Sequence, residues 1–202
     1  MRLINEDARL CDIGHVDLIF TDPPFEMPGS ELHEILSGFE FDHLVLICSM
    51  HQAVSFSKLT NLDFCFDLVI SHVSPKKSKS YNQPNMLHSN VLYFRKKGIK
   101  PAFDRRKVQR HDHYSDDETS RYYPSIFHAP KHNLEYKYQK NQNTINDILG
   151  CFDVNSVLDP FAGAGTTGIA CIEHGIDDFT LIEKNADAFQ ILKKQFKLLG
   201  VV

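Results

Sequence analysis

The 202-residue chain is about 1.3 times the usual domain length of roughly 150 residues, which points to one domain with an appended loop or subdomain. Hydrophobic residues make up 42% and charged residues 24%, which excludes a disordered tail or a fibre. The net charge of −4 argues against a polyanion partner, yet residues 95–110 carry eight basic side chains against Asp104 alone, a local +7 that leaves −11 for the rest.

In chain order, short apolar runs alternate with amphipathic stretches. Val16–Phe20 predicts a buried strand, 30–38 a helix, Leu44–Cys48 a strand, 50–59 a helix, and Leu68–Val73 and Val91–Phe94 two more strands. The stretch from about 96 to 135 has no sustained periodicity. It carries the basic run, an acidic patch and Tyr122-Tyr123-Pro124, and reads as an insertion into the core. Then come a helix over 142–150, a strand at Val157–Leu158, a helix over 165–174, a strand at Phe179–Ile182 and a helix over 185–199. The last places Ala186, Phe189, Leu192 and Phe196 on one face. Strands interleaved with helices predict an α/β domain on a largely parallel sheet.

The longest apolar run, Leu44 to Cys48, is far short of the roughly 20 residues of a membrane span, and charges near the N-terminus interrupt any signal-peptide core. Five widely spaced cysteines without a CxxC pair argue against a disulfide framework or a zinc site and for a reducing, cytoplasmic setting. The histidines at 111, 113, 128 and 132 match no zinc spacing and read as surface or DNA-facing residues.

Two segments carry chemistry. Val157-Leu158-Asp159-Pro160-Phe161-Ala162-Gly163-Ala164-Gly165-Thr166-Thr167 is a strand ending in a glycine-bearing turn that opens a helix. Its glycines permit close backbone approach to a ligand, and the helix start presents free amides. The next strand ends at Glu183, 20 positions after Gly163, where an acid can accept ribose hydroxyls. The second segment, Asp17 to Phe25, runs a buried strand into Asp22-Pro23-Pro24-Phe25. Read blandly, it is a strand stopped by a rigid turn. Read chemically, Asp22 and the carbonyl before a proline form a fixed pair of acceptors. They would hold both hydrogens of a conjugated amine and localise its lone pair, while Phe25 stacks on a flat base.

These residues resemble the S-adenosylmethionine-dependent amino-methyltransferases of DNA. The Asp159–Thr167 run looks like their cofactor motif and Asp22–Phe25 like their catalytic motif, in the permuted β-type order with the catalytic motif 137 residues ahead. Glu6-Asp7-Ala8 resembles the N-terminal motif. Tyr136–Asn141 resembles the HPTQKP-like segment, with Tyr136 in place of His, Asn141 in place of Pro and Ala164 in place of a frequent Ser.

The resemblance implies a doubly wound, mostly parallel, seven-stranded sheet with helices on both faces. It would be a single domain over 1–202 with a reduced target-recognition insertion at about 96–135. It implies transfer of a methyl group to the N6 amine of adenine in double-stranded DNA, on a flipped base, by Asp22, Pro23, Pro24 and Phe25. S-adenosylmethionine would be held by Asp7, Lys140, Asp159, Phe161, Gly163, Gly165, Thr166, Thr167 and Glu183, without a metal. Lys140 reads equally as a solvated lysine.

The alternatives are an N4-cytosine enzyme, which more often carries Ser at the position of Asp22, and a catalytically silent nucleic-acid-binding subunit. A homodimer is compatible with the sequence. Lys96, Lys97, Lys100, Arg105, Arg106, Lys107 and Arg110 are the expected DNA contacts, on the premise that the insertion stands beside Asp22 at the carboxyl ends of the strands. Ser49-Met50-His51 admits two readings, site lining or helix cap, and Tyr122 and Tyr123 either stack on a base or pack on the core.

Overall fold

The computed structural model describes residues 1–76, 81–82, 84–107, 125–129 and 141–201. In chain order the elements are β1 (Arg2–Ile4), a single 3₁₀ turn (Ala8–Leu10), β2 (His15–Thr21), α1 (Gly29–Leu36), β3 (Glu40–Cys48), α2 (Met50–Ser57), β4 (Asp63–Lys76), β5 (Met86–Arg95) and β6 (Ile126–Ala129). There follow α3 (Gln142–Gly150), β7 (Ser156–Asp159), α4 (Thr166–Glu173), β8 (Asp178–Ile182) and α5 (Ala186–Leu198).

The strands form one sheet in the order β1-β8-β7-β2-β3-β5-β4-β6. Among them β5 alone runs antiparallel to its neighbours. The sheet has eight described strands, one more than the seven expected. The two short edge strands escape a periodicity reading. Arg2–Ile4 is three residues long and pairs with β8, while Ile126–Ala129 lies within the irregular stretch and pairs with β4.

Alternation along the central strands divides the core in two. Val45 and Ile47 of β3 and Val91 and Tyr93 of β5 face Ile148 and Leu149 of α3, Ala170 of α4, and Leu192 and Phe196 of α5. Leu44 and Leu46 of β3 and Leu92 and Phe94 of β5 face Leu32 and Ile35 of α1 and Phe56 of α2. Each such side chain contributes about 1.5–3 kcal/mol when fully buried, so residues apolar on both faces can only sit in the middle of this sandwich.

The crossover through α1 leaves β2 on one face of the sheet, and the crossover through α4 leaves β7 on the other. β2 and β7 are neighbours, with Leu18 beside Val157 and Ile19 beside Leu158. The chain order therefore reverses between them, and a crevice opens beyond their carboxyl ends.

Residues 101–104, at the start of the irregular stretch, are tied beneath the opposite edge of the sheet. The Ala102 amide donates to Tyr93 Oη at 3.0 Å, the Asp153 amide to the Ala102 carbonyl at 2.8 Å and the Asp104 amide to the Cys151 carbonyl at 2.7 Å.

Candidate active site

β2 delivers Thr21 and then Asp22 to the crevice, and β7 delivers Asp159 beside them. Thr21 Oγ1 donates to Asp159 Oδ1 at 2.8 Å, joining residues 138 apart in sequence. Asp159 Oδ1 also accepts the Phe161 amide at 3.0 Å, and Oδ2 accepts Thr167 Oγ1 at 2.6 Å. The carboxyl is only 3% exposed. Burial pushes its pKa up to about 6 despite hydrogen bonds from Thr167, Thr21 and the Phe161 amide, and the nearby Asp22 charge adds to the rise. Both oxygens of Asp159 are thus engaged inside the protein. This side chain welds the strand carrying Asp22 to the glycine turn and to the first turn of α4.

Asp22 and Phe25 are half-buried, Pro23 is buried and Pro24 exposed. The Met27 amide donates to the Pro24 carbonyl at 2.9 Å, closing a turn directly after the two prolines. Ser49 answers its two readings as a cap. Its hydroxyl accepts the Gln52 amide at 3.3 Å, and Gln52 Oε1 accepts the Ser49 amide at 3.1 Å, a reciprocal box at the start of α2.

The glycine turn has the geometry its sequence requires. Gly163 and Gly165 have φ of +54° and +91°, a region that L side chains avoid. A Cβ on Gly163 would meet nothing within 4 Å, so this backbone borders open space. One on Gly165 would lie 2.8 Å from Phe196 of α5. Gly168 completes a G-x-G-x-x-G pattern that the sequence reading missed, although its spacing was visible. A Cβ there would sit 2.6 Å from both Leu181 and Phe196, so the third glycine lets α4 lie close on β8 and α5. Thr166 and Thr167 are buried at the helix start, and the Thr166 carbonyl accepts Gln142 Nε2 at 3.0 Å.

Glu183, at the end of β8, reaches back to this turn. Its Oε2 accepts the Gly163 amide at 2.8 Å and its Oε1 the Asn185 amide at 2.7 Å. Asp7, beyond β1 on the far side of β8, caps the 3₁₀ turn through the Arg9 amide at 3.1 Å and accepts Lys184 Nζ at 2.8 Å. The Lys184 hydrogen bond, with that of the Arg9 amide, holds its pKa below the ordinary value. Asn141 caps α3 by accepting the Thr144 amide at 3.0 Å, a role that its Asn can fill. Lys140, Arg110, Tyr122 and Tyr123, and His111, His113 and His132, lie outside the described residues. His128, on β6, has Nδ1 2.8 Å from Ser71 Oγ.

The basic run is not beside Asp22, and this corrects the premise on which it was placed there. Phe94 ends a strand that runs antiparallel, with Arg95 level with His43 near the start of β3 and Asn90 level with Cys48 at its end. Residues 96–107 therefore emerge at the amino edge, roughly 20 Å from Asp22 over the seven residues of β2. Acids meet them there. Arg106 pairs with Asp104 at 2.7 Å, Lys107 with Asp153 at 2.5 Å, and Arg95 is in register with Asp63.

An open crevice at a strand-order reversal, lined by a glycine turn, a ribose-type acid and a rigid Asp-Pro-Pro-Phe loop, has counterparts among solved structures. M1.HpyAVI in complex with SAM superposes with a TM-score of 0.71 at 22% identity, covering 96% of this chain and 98% of that one. TTHA0409, a DNA modification methylase from Thermus thermophilus complexed with S-adenosyl-L-methionine, gives 0.68 at 21% identity, covering 98% and 93%. The cytosine-N4-specific PvuII DNA methyltransferase gives 0.67 at 13% identity, covering 96% and 81%. These likenesses establish the methyltransferase fold. No protein of curated function matches the chain significantly. The DNA methylase model for N6- and N4-amino methyltransferases, whose methyl donor is S-adenosylmethionine, matches residues 45–194. By that match the chain belongs to the family of DNA amino-methyltransferases.

Proposed function

We propose that this protein methylates the N6 amine of adenine in DNA, acting on a base turned out of the duplex. The observation that carries the reading is the Thr21–Asp159 hydrogen bond at 2.8 Å, which locks the Asp22 loop against the glycine turn at one crevice. Donor and acceptor of a methyl group need such a fixed separation, because a small misplacement costs rate steeply.

The residues present fit S-adenosylmethionine. Gly163 borders open space, Glu183 is aimed along the same turn, and Asp7 lies one strand further out. Glu183 would take the ribose hydroxyls, Asp7 the adenine end, and Phe161, Gly165 and the first turn of α4 the methionine portion, with Asp159 and Thr167 holding that turn in shape. When bound, the donor supplies an electrophilic methyl group on a sulfonium.

The work of this chain lies on the amine side. An exocyclic amine conjugated to a purine is a weak nucleophile, since its lone pair is shared with the ring. The Asp22 carboxylate and the Pro23 carbonyl would accept its two hydrogens and pyramidalise the nitrogen, and Phe25 would stack on the ring. The prolines keep the acceptors from relaxing, so little reorganisation is left for the transition state. The base must leave the stack, because no amine inside the helix can meet a sulfonium in line. Adenine is favoured over cytosine by Asp22, where cytosine enzymes more often carry Ser.

The test is to incubate the purified chain with mixed-sequence DNA and isotopically labelled S-adenosylmethionine, digest to nucleosides and analyse by mass spectrometry. Labelled N6-methyladenosine is expected. Labelled N4-methylcytosine would overturn the choice of base, and no transfer at all would overturn the assignment of activity.

A further inference from the structure

We infer that Gln52 is the residue that holds the Asp22–Phe25 loop in its working position, acting from α2 on the backbone behind the loop. Its side chain is fully buried, at 0% exposure. Gln52 Nε2 donates to the Pro24 carbonyl at 2.8 Å and to the Met27 carbonyl at 3.1 Å. Its Oε1 accepts the Ser49 amide and the Ser49 hydroxyl, each at 3.1 Å. A glutamine amide has two hydrogens and two lone pairs, and all four are used. The orientation is unambiguous, because one end faces two carbonyl oxygens and the other a backbone N–H.

This arrangement exceeds what a helix cap requires. A capping box works as well with Glu as with Gln, since only an acceptor is needed toward the N-cap amide. The loop end needs something Glu cannot supply, a double donor between two carbonyls. An ionised carboxylate there would place negative oxygens against the Pro24 and Met27 oxygens in a buried setting, where an unmatched polar group is costly. The loop is gripped a second time at Gly29. A Cβ on that residue would lie 2.5 Å from the Ser55 Cβ and 2.8 Å from the Phe56 nitrogen, so the chain leaving the loop lies directly on α2. Asp22, Pro23 and Phe25 are thus anchored upstream by β2 and downstream by α2. Gln52 touches no reacting atom and is a positioning residue.

The inference rests on the proposed role of this loop in handling the target amine, so the experiment separates the two. The variant is Gln52→Glu in the full chain, which keeps side-chain size and the cap of α2 but inverts the loop end. Three quantities are read: cofactor affinity by calorimetry, hydrogen–deuterium exchange of the ligand-free 22–29 segment, and kcat with DNA at saturating cofactor. Cofactor affinity is expected within about threefold of wild type, exchange of the segment roughly tenfold faster, and kcat lower by roughly tenfold to a hundredfold. Should this variant not fold, Gln52→Met removes all four hydrogen bonds at similar volume, with the same expectations and a smaller loss of kcat.

Unchanged exchange would overturn the inference, leaving Gln52 a plain helix cap. Faster exchange with kcat within about twofold of wild type would also overturn it, as would loss of cofactor affinity in step with kcat. If wild type transfers no methyl group to any DNA, the proposed activity fails, while the exchange comparison still decides whether Gln52 holds the loop.

Discussion

At the carboxyl edge of the sheet the polar groups are few, largely buried and directed at one another, whereas at the amino edge they are many, exposed and mixed in sign. The carboxyl edge holds Thr21, Asp159 and Thr167 in one hydrogen-bonded cluster, with Glu183 on the glycine turn. The amino edge sets Arg106 on Asp104, Lys107 on Asp153 and His15 within 3.3 Å of Asp42, with Asp17 accepting the Asn155 amide. The first edge has a geometry that only one ligand shape can satisfy. The second is a charge mosaic, in which a basic run conspicuous in sequence is matched by acids from other parts of the chain. Local charge in a sequence therefore says little about where a polyanion docks until the strands are given directions.

The sharpest way to break this contrast is at Asp22. Asp22→Ala should lower methyl transfer by roughly 10²–10³-fold, the usual loss of one preorganised hydrogen-bonding partner, while calorimetry finds cofactor binding unchanged. Turnover within tenfold of wild type would take the carboxylate out of the chemistry.

The next largest effect is expected at the weld. The Asp159 carboxyl titrates at about 6 in the folded chain against an ordinary value of 3.8. Between those values only the folded state keeps the proton, so stability is fully present on the acid side and falls as pH rises through about 6. Asp159→Asn keeps the acceptor for Thr21 and the Phe161 amide and does not titrate. The stability of wild type relative to this variant should fall by about 3 kcal/mol across that window, at about 1.4 kcal/mol per pH unit. Denaturant unfolding of both proteins at several pH values measures the difference. A difference that stays flat would mean that the carboxylate is not desolvated as described.

Glu183 tests the outer half of the crevice. Glu183→Ala should weaken cofactor binding by about 1.5–3 kcal/mol, the worth of a hydrogen bond to a charged group. Calorimetry with equal affinities for the two proteins would reduce Glu183 to a brace for the Gly163 amide.

The smallest effect belongs to the amino edge. Were Arg105, Arg106 and Lys107 phosphate contacts, neutralising all three would lower the salt slope of DNA binding by about 2.7. Their distance from Asp22 and the acids around them lead us to expect no change in slope and less than about a threefold change in affinity. A slope that drops by two or more would make the mosaic a genuine DNA surface.

Much of this was legible beforehand because it depends on local pattern. Helix α5 follows from apolar residues at helical spacing, and β3 from an unbroken apolar run. The two motif loops follow from Pro and Gly at positions where backbone geometry leaves little choice. β1 was missed because three residues carry no measurable period, and β6 because Ile126–Ala129 is embedded in charge. The site was read as two separate loops plus an acid. Thr21 drew no notice, since a threonine at the end of a strand is common, and Gln52 drew none, since a polar residue in a short helix ordinarily faces water.

By itself the amino-acid sequence determined the alternation of strands and helices, the turns at Asp22–Phe25 and at Gly163–Gly165, and the acid that follows one strand later. All of these arise from interactions within a few residues: side-chain periodicity, proline's fixed φ and glycine's freedom at positive φ. Only the tertiary structure decided that Thr21 meets Asp159, that Gln52 reaches the loop from behind, and that Arg95 to Lys107 face away from the crevice. Those contacts join residues 138 and 28 apart, or depend on the direction of β5. Strand order and strand direction come from burying two apolar faces at once, a constraint set by the whole chain and not by any window of it.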